Sequence, residues 1–253
     1  MTESLNQRLG IDIYVISVRT YVDRHEHVNS LAKFHNFSFE YIFEFDAIDL
    51  DRSAISRCSG ILTPSSMSNS LKHIEAERKL IEGSSSIALV LEDDILFLEG
   101  FFQQLEDIVI EARSLNPGWL IFLGGSDNKL DEDHFDPAAG LLVEKPITTA
   151  EAYLIDRVGC LARLDWLKTR KVDRQADHLL KLIDAESGNK QYRTRVPLAT
   201  QGSITGKFDS KLDSSRQKHG RGYLLARYWF SRFRRQKIPY YTHWLKRLFS
   251  EKK

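Results

Sequence analysis

The chain has 253 residues, of which 42% are hydrophobic and 28% are charged, a composition typical of a soluble globular protein with one sizeable core. It contains no run of about 18 apolar residues, so no membrane-spanning helix is expected. Cys58 and Cys160 are too few for a disulfide framework, and the N-terminal residues lack the basic-then-apolar pattern of a secretory signal. These features favour a cytoplasmic protein.

Charge is divided unevenly along the chain. The net charge is only +1, but residues 216–253 carry 12 Lys and Arg residues and one acid, Glu251. The remaining residues carry 24 Lys and Arg against 34 Asp and Glu, a net charge of −10. An acidic body is therefore followed by a tail of net charge +11, and this division predicts an anionic partner for the tail.

The first part of the chain alternates strand and helix patterns. Residues 11–16 and 39–45 have the apolar patterns of strands, and residues 22–34 between them have the spacing of a helix. A longer helix is predicted to begin after Thr63, with Pro64 at its first position. It is expected to end at Gly83 in the left-handed backbone conformation, which glycine accepts without strain.

The same alternation continues to about residue 183. The predicted elements are a strand over 87–91, a helix over 101–115, a strand over 119–123, a long loop over 126–146, a strand over 151–155 and helices over 158–168 and 177–183. Alternating strands and helices are typical of an α/β sheet with helices on its faces. The fold class expected is therefore α/β, with one domain and a C-terminal appendage.

Glu92, Asp93 and Asp94 directly follow the predicted strand over 87–91. That strand is short and wholly apolar, as expected of a central parallel strand buried on both faces. In open α/β sheets, ligands bind outside the carboxyl ends of the strands. Adjacent carboxylates repel one another, and Mg²⁺-type sites use one or two carboxylates together with substrate phosphates. The triplet indicates a metal–diphosphate site, and a solvated acidic turn is the alternative.

A series of ordered motifs gives the chain a resemblance to glycosyltransferase family 25, which includes bacterial lipopolysaccharide and lipooligosaccharide galactosyl- and glucosyltransferases. The segment Leu89-Val90-Leu91-Glu92-Asp93-Asp94 closely resembles the family's Leu-Ile-Leu-Glu-Asp-Asp. The other similar segments are Ile16-Ser17-Val18 with Arg24, Ala47-Ile48-Asp49, Leu62-Thr63 through Leu71-Lys72-His73, Ala152-Tyr153-Leu154-Ile155 with Gly159, Asp177, and Val196-Pro197 with Gln201 and Ser203-Ile204. The chain departs from the family at Ser68-Asn69 in place of Gly-Cys, at Lys72 in place of serine and at Ser17 in place of asparagine.

The resemblance implies a GT-A-like fold over residues 8–215, a Rossmann-like mixed sheet with flanking helices that binds a nucleotide-sugar. The basic, aromatic tail over 216–253 follows it. The implied reaction is an inverting, metal-dependent transfer of galactose or glucose from a UDP-sugar to a lipooligosaccharide or lipopolysaccharide glycan. Mn²⁺, or Mg²⁺, would bridge the diphosphate and stabilise its developing charge. The alternative is a binding module of the same fold with weakened or lost activity, which the departures motivate.

Roles for single residues come from the same resemblance. Asp94 is the expected metal ligand, Asp93 a second metal contact, and Glu92 a contact of the nucleotide. Asp177 is the candidate base that deprotonates the acceptor hydroxyl, and a helix-capping aspartate is its alternative. The further candidates for binding the nucleotide or diphosphate are His73, Arg24, Gln201 and Ser203. A structural histidine, a surface ion pair and ordinary loop polarity are their alternatives.

The tail mixes aromatic and basic residues. Nine of the chain's 27 aromatic residues lie in residues 216–253. A helix from Leu225 places Trp229 and Phe233 on one face and Arg227 on another, and Pro239 is expected to break it. This pattern favours binding to an anionic membrane surface, where a lipid-linked acceptor would lie, on the cytoplasmic face of the inner membrane. The alternatives are a helix packed on the domain and, third, nucleic-acid binding.

Other nucleotide and hydrolase motifs are absent from the sequence. It has no Gly-x-x-x-x-Gly-Lys-Ser/Thr loop, no Gly-x-Ser-x-Gly elbow and no zinc spacing of cysteine and histidine. P-loop nucleotidases, α/β-hydrolases and zinc-finger proteins are therefore poor matches for this chain.

Overall fold

The structure is a computed structural model, and it describes residues 3–125, 130, 140–147, 149–209 and 218–250. The helices are α1 (Leu5–Leu9), α2 (Val22–His35), α3 (Arg52–Ser56), α4 (Pro64–Glu82), α5 (Phe101–Ala112), α6 (Arg157–Leu167), α7 (Ala176–Ser187), α8 (Gly202–Thr205), α9 (Arg221–Arg232) and α10 (Ile238–Ser250). The strands are β1 (Asp12–Ile16), β2 (Glu40–Ile42), β3 (Ile87–Glu92), β4 (Ile95–Phe97), β5 (Trp119–Phe122), β6 (Leu142–Glu144), β7 (Ala152–Asp156), β8 (Lys190–Thr194) and β9 (Ala199–Gln201).

Seven strands form one mixed sheet in the order β2-β1-β3-β7-β5-β8-β6, and β4 pairs with β9 in a separate two-stranded ribbon. Helices flank the sheet, so the predicted α/β class is confirmed. The prediction for β3 needs one correction. β3 is central and buried, and it is parallel to β1, but its other neighbour β7 runs antiparallel to it. β7 lies between β3 and β5 in the sheet and runs antiparallel to both.

The core occupies both faces of the sheet. Alternate residues of β3 point to opposite faces, so Leu89 and Leu91 pack with one apolar cluster and Ala88 and Val90 with the other. A third cluster joins α4 to α7 and includes the fully buried Leu71 of α4. Burial on both faces explains why β3 is apolar from Ile87 to Leu91 and why its first polar side chains appear where the strand ends.

Several local predictions are corrected. Gly83 ends α4 as predicted, but its backbone is extended, with φ −77° and ψ −171°, and its N–H donates to the Lys79 carbonyl. The strand predicted over 39–45 is shorter, because only Glu40–Ile42 pairs with β1. Phe34, the last residue of the helix predicted over 22–34, is exposed, and the buried residues of α2 are Val28 and Ala32. β4, β6 and β9 are three residues long and carry too little pattern to be predicted, and β8 is not predicted because its five residues are mostly polar.

Part of the predicted loop over 126–146 is described. The chain forms β6 at Leu142–Glu144, so the loop prediction is wrong there, because pairing with β8 satisfies this backbone. Residues 126–129 and 131–139 lie outside the described residues, as does the predicted domain boundary between 215 and 216.

Contrary to the prediction, Pro239 does not break the tail helix. A π-helical turn, Phe233–Lys237, links α9 to α10, and the Ile238 N–H donates to the Phe233 carbonyl. Pro239 has no N–H to offer the Arg235 carbonyl, which instead accepts a hydrogen bond of 3.1 Å from the Leu130 N–H. The wider turn and this outside donor satisfy the backbone around the proline, so the helix continues.

Candidate functional site

The carboxyl ends of β1 and β3 place the acidic triplet beside the start of the first β–α connection. The two strands are parallel and in register, with Ile16 opposite Glu92. The Asp93 N–H donates to the Ile16 carbonyl at 3.1 Å, which extends the pairing by one residue past β3. Ser17 is the next residue after β1, so its side chain comes to lie against Asp93. Parallel pairing therefore builds this part of the site directly.

Both carboxylate oxygens of Asp93 accept hydrogen bonds. Ser17 Oγ donates to Oδ2 at 2.7 Å, and Arg24 Nη1 donates to Oδ1 at 2.6 Å. Burial and the neighbouring Asp94 raise the pKa of Asp93 to about 6, although the Arg24 guanidinium acts in the opposite direction. Asp93 is thus a buried carboxylate whose charged form depends on one arginine.

Arg24 is held on several sides. Its Nη2 donates to the Asp209 carbonyl at 2.7 Å, and its guanidinium carbon lies 5.0 Å from the ring centroid of Tyr21 and 5.6 Å from that of Phe208. The side chain is 11% exposed, so it is not a surface ion pair. A planar guanidinium fixed between two rings is preorganised to bind an oxyanion that approaches its remaining N–H groups.

Asp94 is connected to the segment that follows β9. Its Oδ2 accepts from the Ser203 N–H at 3.0 Å, and its backbone carbonyl accepts from the Gly202 N–H at 2.6 Å. Gly202 is required for this approach, because a Cβ would lie 2.5 Å from a Phe208 ring carbon and 3.0 Å from the Asp94 carbonyl oxygen. Burial, and next the charge of Glu92, raise the pKa of Asp94.

Glu92 lies at the centre of a second group of polar residues. Gln201 Nε2 donates to Oε2 at 2.6 Å and Asn69 Nδ2 donates to Oε1 at 3.4 Å. His73 Nε2 lies 3.7 Å from Oε1. Burial alone would raise the pKa of Glu92, but the contacts with His73 and Gln201 outweigh it and the pKa is lowered. Glu92 is therefore the one member of the triplet whose pKa is lowered, so its surroundings stabilise its charged form.

His73 and Asn69 each present a buried polar atom without a hydrogen-bond partner. His73 Nδ1 lies 2.7 Å from the Tyr153 hydroxyl, and its Nε2 has no hydrogen-bond partner, although Glu92 Oε1 lies 3.7 Å away. Asn69 Oδ1 is unpaired as well. Buried polar atoms are rarely left without a partner, so these two atoms beside Glu92 indicate a position for a hydroxyl, an amide or a water molecule.

The structure brings together most of the residues predicted from the sequence. Arg24 meets Asp93, Ser203 meets Asp94, and Gln201 and His73 meet Glu92. These contacts join segments that are up to 109 residues apart in the chain. They decide against the solvated-turn alternative for the triplet, because Asp93 and Asp94 are only 4% and 3% exposed.

Asp177 is the exception. It lies in the first turn of α7, where its Oδ1 accepts from the His178 N–H at 2.8 Å. Gln175 is the N-cap residue, so Asp177 does not cap the helix as the alternative supposed. Within the described part of the chain, no contact joins Asp177 to the triplet. It is half-buried, and its role as a base stays a prediction.

Lys72 and Asp46 form a buried ion pair that the sequence did not reveal. Lys72 Nζ donates to Asp46 Oδ1 at 2.6 Å and to the Ser17 and Ile42 carbonyls at 2.8 and 3.3 Å. Burial lowers the pKa of Lys72, and Asp46 opposes that effect. The pair fixes the ends of β1 and β2 next to Ser17. No sequence pattern separates such a lysine from an exposed one on a helix.

Lys207 and His27 were also missed. His27 Nε2 lies 2.7 Å from the Ile95 carbonyl and so carries the ring proton, which leaves Nδ1 to accept from Lys207 Nζ at 3.1 Å. Burial lowers the pKa of both residues. Lys207 also lies 5.3 Å from the ring centroid of Phe208, the ring that packs on Arg24. Two cationic side chains therefore share one aromatic ring beside the triplet.

The donor set can be tested against a divalent metal. Across the residues that the structure describes, no group of three or more His, Cys, Asp or Glu side chains surrounds a common point. A metal held wholly by protein ligands therefore does not fit. A metal held by one or two carboxylates and completed by phosphate and water oxygens fits Asp94, while the Asp93 oxygens are engaged by Ser17 and Arg24.

Comparison with known proteins gives no family. No family model matches the chain, and no curated protein matches its sequence. Solved structures with partial likeness include the inositol-1-phosphate CTP transferase of T. maritima, with 12% identity, 87% of this chain and 78% of that chain covered, and a TM-score of 0.37.

Two others are described as a mannose-1-phosphate geranyltransferase of Thermus thermophilus and a glycosyltransferase involved in glycosylation of the major capsid of PBCV-1. The first has 10% identity, covers 78% of each chain and has a TM-score of 0.38. The second has 9% identity, covers 73% of this chain and 92% of the other, and has a TM-score of 0.31. At such identities and TM-scores, the function has to be inferred from this chain's own residues.

Proposed function

We propose that this chain is a nucleotide-sugar-dependent glycosyltransferase of GT-A-like fold. One observation carries the proposal. The segments that resemble glycosyltransferase family 25 are scattered along the sequence, yet their polar residues converge on Glu92, Asp93 and Asp94 at one edge of the sheet. That edge is where open α/β sheets bind ligands. Chance similarity of isolated motifs would not produce contacts among them.

The chemistry follows from the charges at this edge. Breaking the glycosidic bond of a UDP-sugar leaves a diphosphate with growing negative charge. Arg24 and Lys207 offer N–H donors for its oxygens, and their fixed positions make this stabilisation available without rearrangement. Mn²⁺ or Mg²⁺, bound by Asp94, with Asp93 as the second predicted contact, would supply Lewis-acid stabilisation of the same diphosphate.

The Glu92 group suits the neutral part of the donor. Gln201, Asn69 and His73 surround the Glu92 carboxylate, and the unpaired atoms of Asn69 and His73 lie beside it. Sugar hydroxyls and nucleobase amides supply the donors and acceptors that such a group requires. We assign Glu92, His73 and Gln201 to the nucleoside side of the donor and Arg24 and Ser203 to the diphosphate side.

The remaining parts of the proposal come from the resemblance. The reaction is inverting, the transferred hexose is galactose or glucose, and the acceptor is a lipid-linked lipooligosaccharide or lipopolysaccharide glycan. Asp177 is the proposed base, and its half-buried position in the first turn of α7 allows it to contact an acceptor. A lipid-linked acceptor would place the enzyme on the cytoplasmic face of the inner membrane.

A second candidate function is a nucleotide-sugar-binding module without transfer activity. The departures from the family pattern favour it. Asn69 contacts Glu92 directly, and Lys72 fills the space beneath Ser17 with an ion pair to Asp46. Both differences lie at the proposed donor site, so they bear on catalysis as well as on donor choice.

A transfer assay separates the two functions. Purified protein is incubated with UDP-galactose or UDP-glucose, Mn²⁺ and an acceptor glycan, and UDP release is measured. Metal-dependent release that is lost in Asp94→Asn and kept in Asp165→Asn, an aspartate at an exposed position, supports transfer. If no UDP-sugar supports release while UDP still binds, the binding module is the correct function. Asp177→Asn then tests the base: release that persists unchanged would remove Asp177 from the mechanism.

A further inference from the structure

The tail presents an apolar, aromatic surface to solvent. In α9, the side chains of Trp229 and Phe230 are 55% and 68% exposed, and in α10 that of Trp244 is 52% exposed. The other exposed apolar and aromatic residues of this surface, called here the tail face, are Leu225, Phe233, Ile238, Tyr240, Tyr241, Leu245 and Phe249. A group of exposed apolar and aromatic side chains of this size is characteristic of a binding site for another apolar body.

Basic residues border the tail face. Arg227 and Arg234 are exposed at the helical positions next to Phe230, and Lys237 is exposed in the π-helical turn. Residues 218–250 contain no Asp or Glu. The Arg232 guanidinium lies 5.5 Å from the ring centroid of Trp229, so cation and aromatic ring share one surface. The positive charge of this region complements an anionic surface.

The opposite side of α9 attaches the tail to the domain. Leu224 and Tyr228 are buried, which agrees in part with the packed-helix alternative raised by the sequence. The backbone of Arg221 packs on Gly206, where a Cβ would lie 3.0 Å from the Arg221 Cα. Gly206 ends α8, the turn whose first residue, Gly202, donates to the Asp94 carbonyl. The tail is therefore attached within a few residues of the candidate site.

We propose that the tail face docks into the interface of an anionic lipid bilayer, with Trp229, Phe230 and Trp244 among the acyl chains and Arg227 and Arg234 at the headgroups. Aromatic residues bordered by cations suit this interface, where one side is apolar and the other charged and wet. Among the described residues no helix is long and apolar enough to cross a membrane. The binding itself is independent of the reaction; that it brings a lipid-linked acceptor to Asp94 rests on the proposed function.

Vesicle co-sedimentation of the full chain tests the apolar part. Vesicles of phosphatidylcholine mixed with phosphatidylglycerol are expected to bind the protein, and pure phosphatidylcholine vesicles to bind it far less. Trp229→Glu and Phe230→Glu are each expected to weaken binding at least about tenfold, because a carboxylate would enter the apolar layer. Phe34→Glu, at an aromatic residue that is 83% exposed on α2, is the matched control and is expected to bind normally.

A second pair of variants tests the charge. Arg227→Gln with Arg234→Gln removes two cations near the surface and is expected to weaken binding about 30-fold at physiological salt, with a smaller effect at high salt. Lys33→Gln with Lys168→Gln removes the same charge elsewhere and is expected to have little effect. Equal binding of all variants, equal binding to both vesicle types, or binding of single-stranded nucleic acid in place of vesicles would each overturn the proposal.

Two further measurements keep the outcomes distinct. Light scattering of the protein without lipid reports whether the tail face pairs with a second copy: a stable dimer that Trp229→Glu dissociates would also overturn the proposal. UDP binding by the Trp229→Glu variant is measured in parallel, and it is expected to equal that of the wild type. If Trp229→Glu loses vesicle binding but binds UDP normally, the defect lies in the tail alone. If the wild type itself does not bind UDP, the proposed function is wrong, and the vesicle result is unaffected.

Discussion

Glu77 is expected to make the stability of this protein depend on pH in a measurable way. It lies in α4 and is buried, and its Oε1 is 3.9 Å from Arg163 Nη1, which is too long for a hydrogen bond. Arg163 is already paired with Asp184 through Nε and Nη2, at 2.6 and 3.2 Å. Burial raises the pKa of Glu77 by more than the charge of Arg163 lowers it, and the pKa is raised to about 8.

The magnitude follows from proton linkage. In the unfolded chain Glu77 has a pKa of about 4.3, so between about pH 4.3 and pH 8 the folded state binds the proton and the unfolded state does not. Over this interval the free energy of unfolding falls by about 1.4 kcal/mol for each pH unit, and by about 5 kcal/mol in total. Above pH 8 both states are ionised and the loss stays constant.

Glu77→Gln replaces the ionisable carboxyl group by a neutral amide, and the variant is expected to be more stable than the wild type at neutral pH. Guanidinium unfolding, followed by the fluorescence of the four tryptophans, is measured between pH 5 and 9. The difference between variant and wild type is expected to widen by about 1.4 kcal/mol per pH unit up to pH 8 and then to level off. Glu82→Gln, at an exposed position of the same helix, is the control. A difference that does not vary with pH would refute a neutral, buried Glu77.

Three further outcomes are expected. Gly202→Ala has no room for its Cβ and is expected to lose about 1–3 kcal/mol in chemical unfolding, while Gly60→Ala, with open space around it, is not. Lys72→Met leaves the buried Asp46 with only the exposed Arg19, 3.6 Å away, as a cation, and is expected to lose about 3–5 kcal/mol, most of it recovered by adding Asp46→Asn. Because the pKa of Asp93 is about 6, kcat/KM for UDP release is expected to fall below about pH 6, where protonation breaks its ion pair with arginine. A kcat/KM that stays constant below about pH 6 would contradict this prediction.

The larger elements could be predicted from the sequence because their apolar periodicity reflects burial. α4 and β3 are long or wholly apolar, so packing and local preference agree there. The triplet was found because three carboxylates directly after a buried strand are unusual. The short strands β4 and β9 could not be predicted, because three residues carry too little pattern and their pairing is decided by distant chain segments.

The polar interior escaped prediction for a different reason. Ser68, Lys72, His73 and Glu77 interrupt the apolar pattern of α4 and indicate a solvated face, yet all four are buried. Their partners are brought to them by other elements, such as Asp46 after β2 and Arg163 in α6. Such pairs are visible only once the fold is known. The location of the candidate site was predictable from the acidic triplet. The contacts that support the site lie in this polar interior and were not predictable.

The role proposed for Asp94 is to help to hold a metal-bound nucleoside diphosphate. Calorimetric titration of UDP into the protein, with and without Mn²⁺, tests it most directly. We expect binding that requires Mn²⁺, that Asp94→Asn weakens by about tenfold or more, as even supporting residues of metal sites do, and that Asp165→Asn leaves unchanged. Binding of UDP that is equal with and without Mn²⁺, and equal in wild type and Asp94→Asn, would contradict this role.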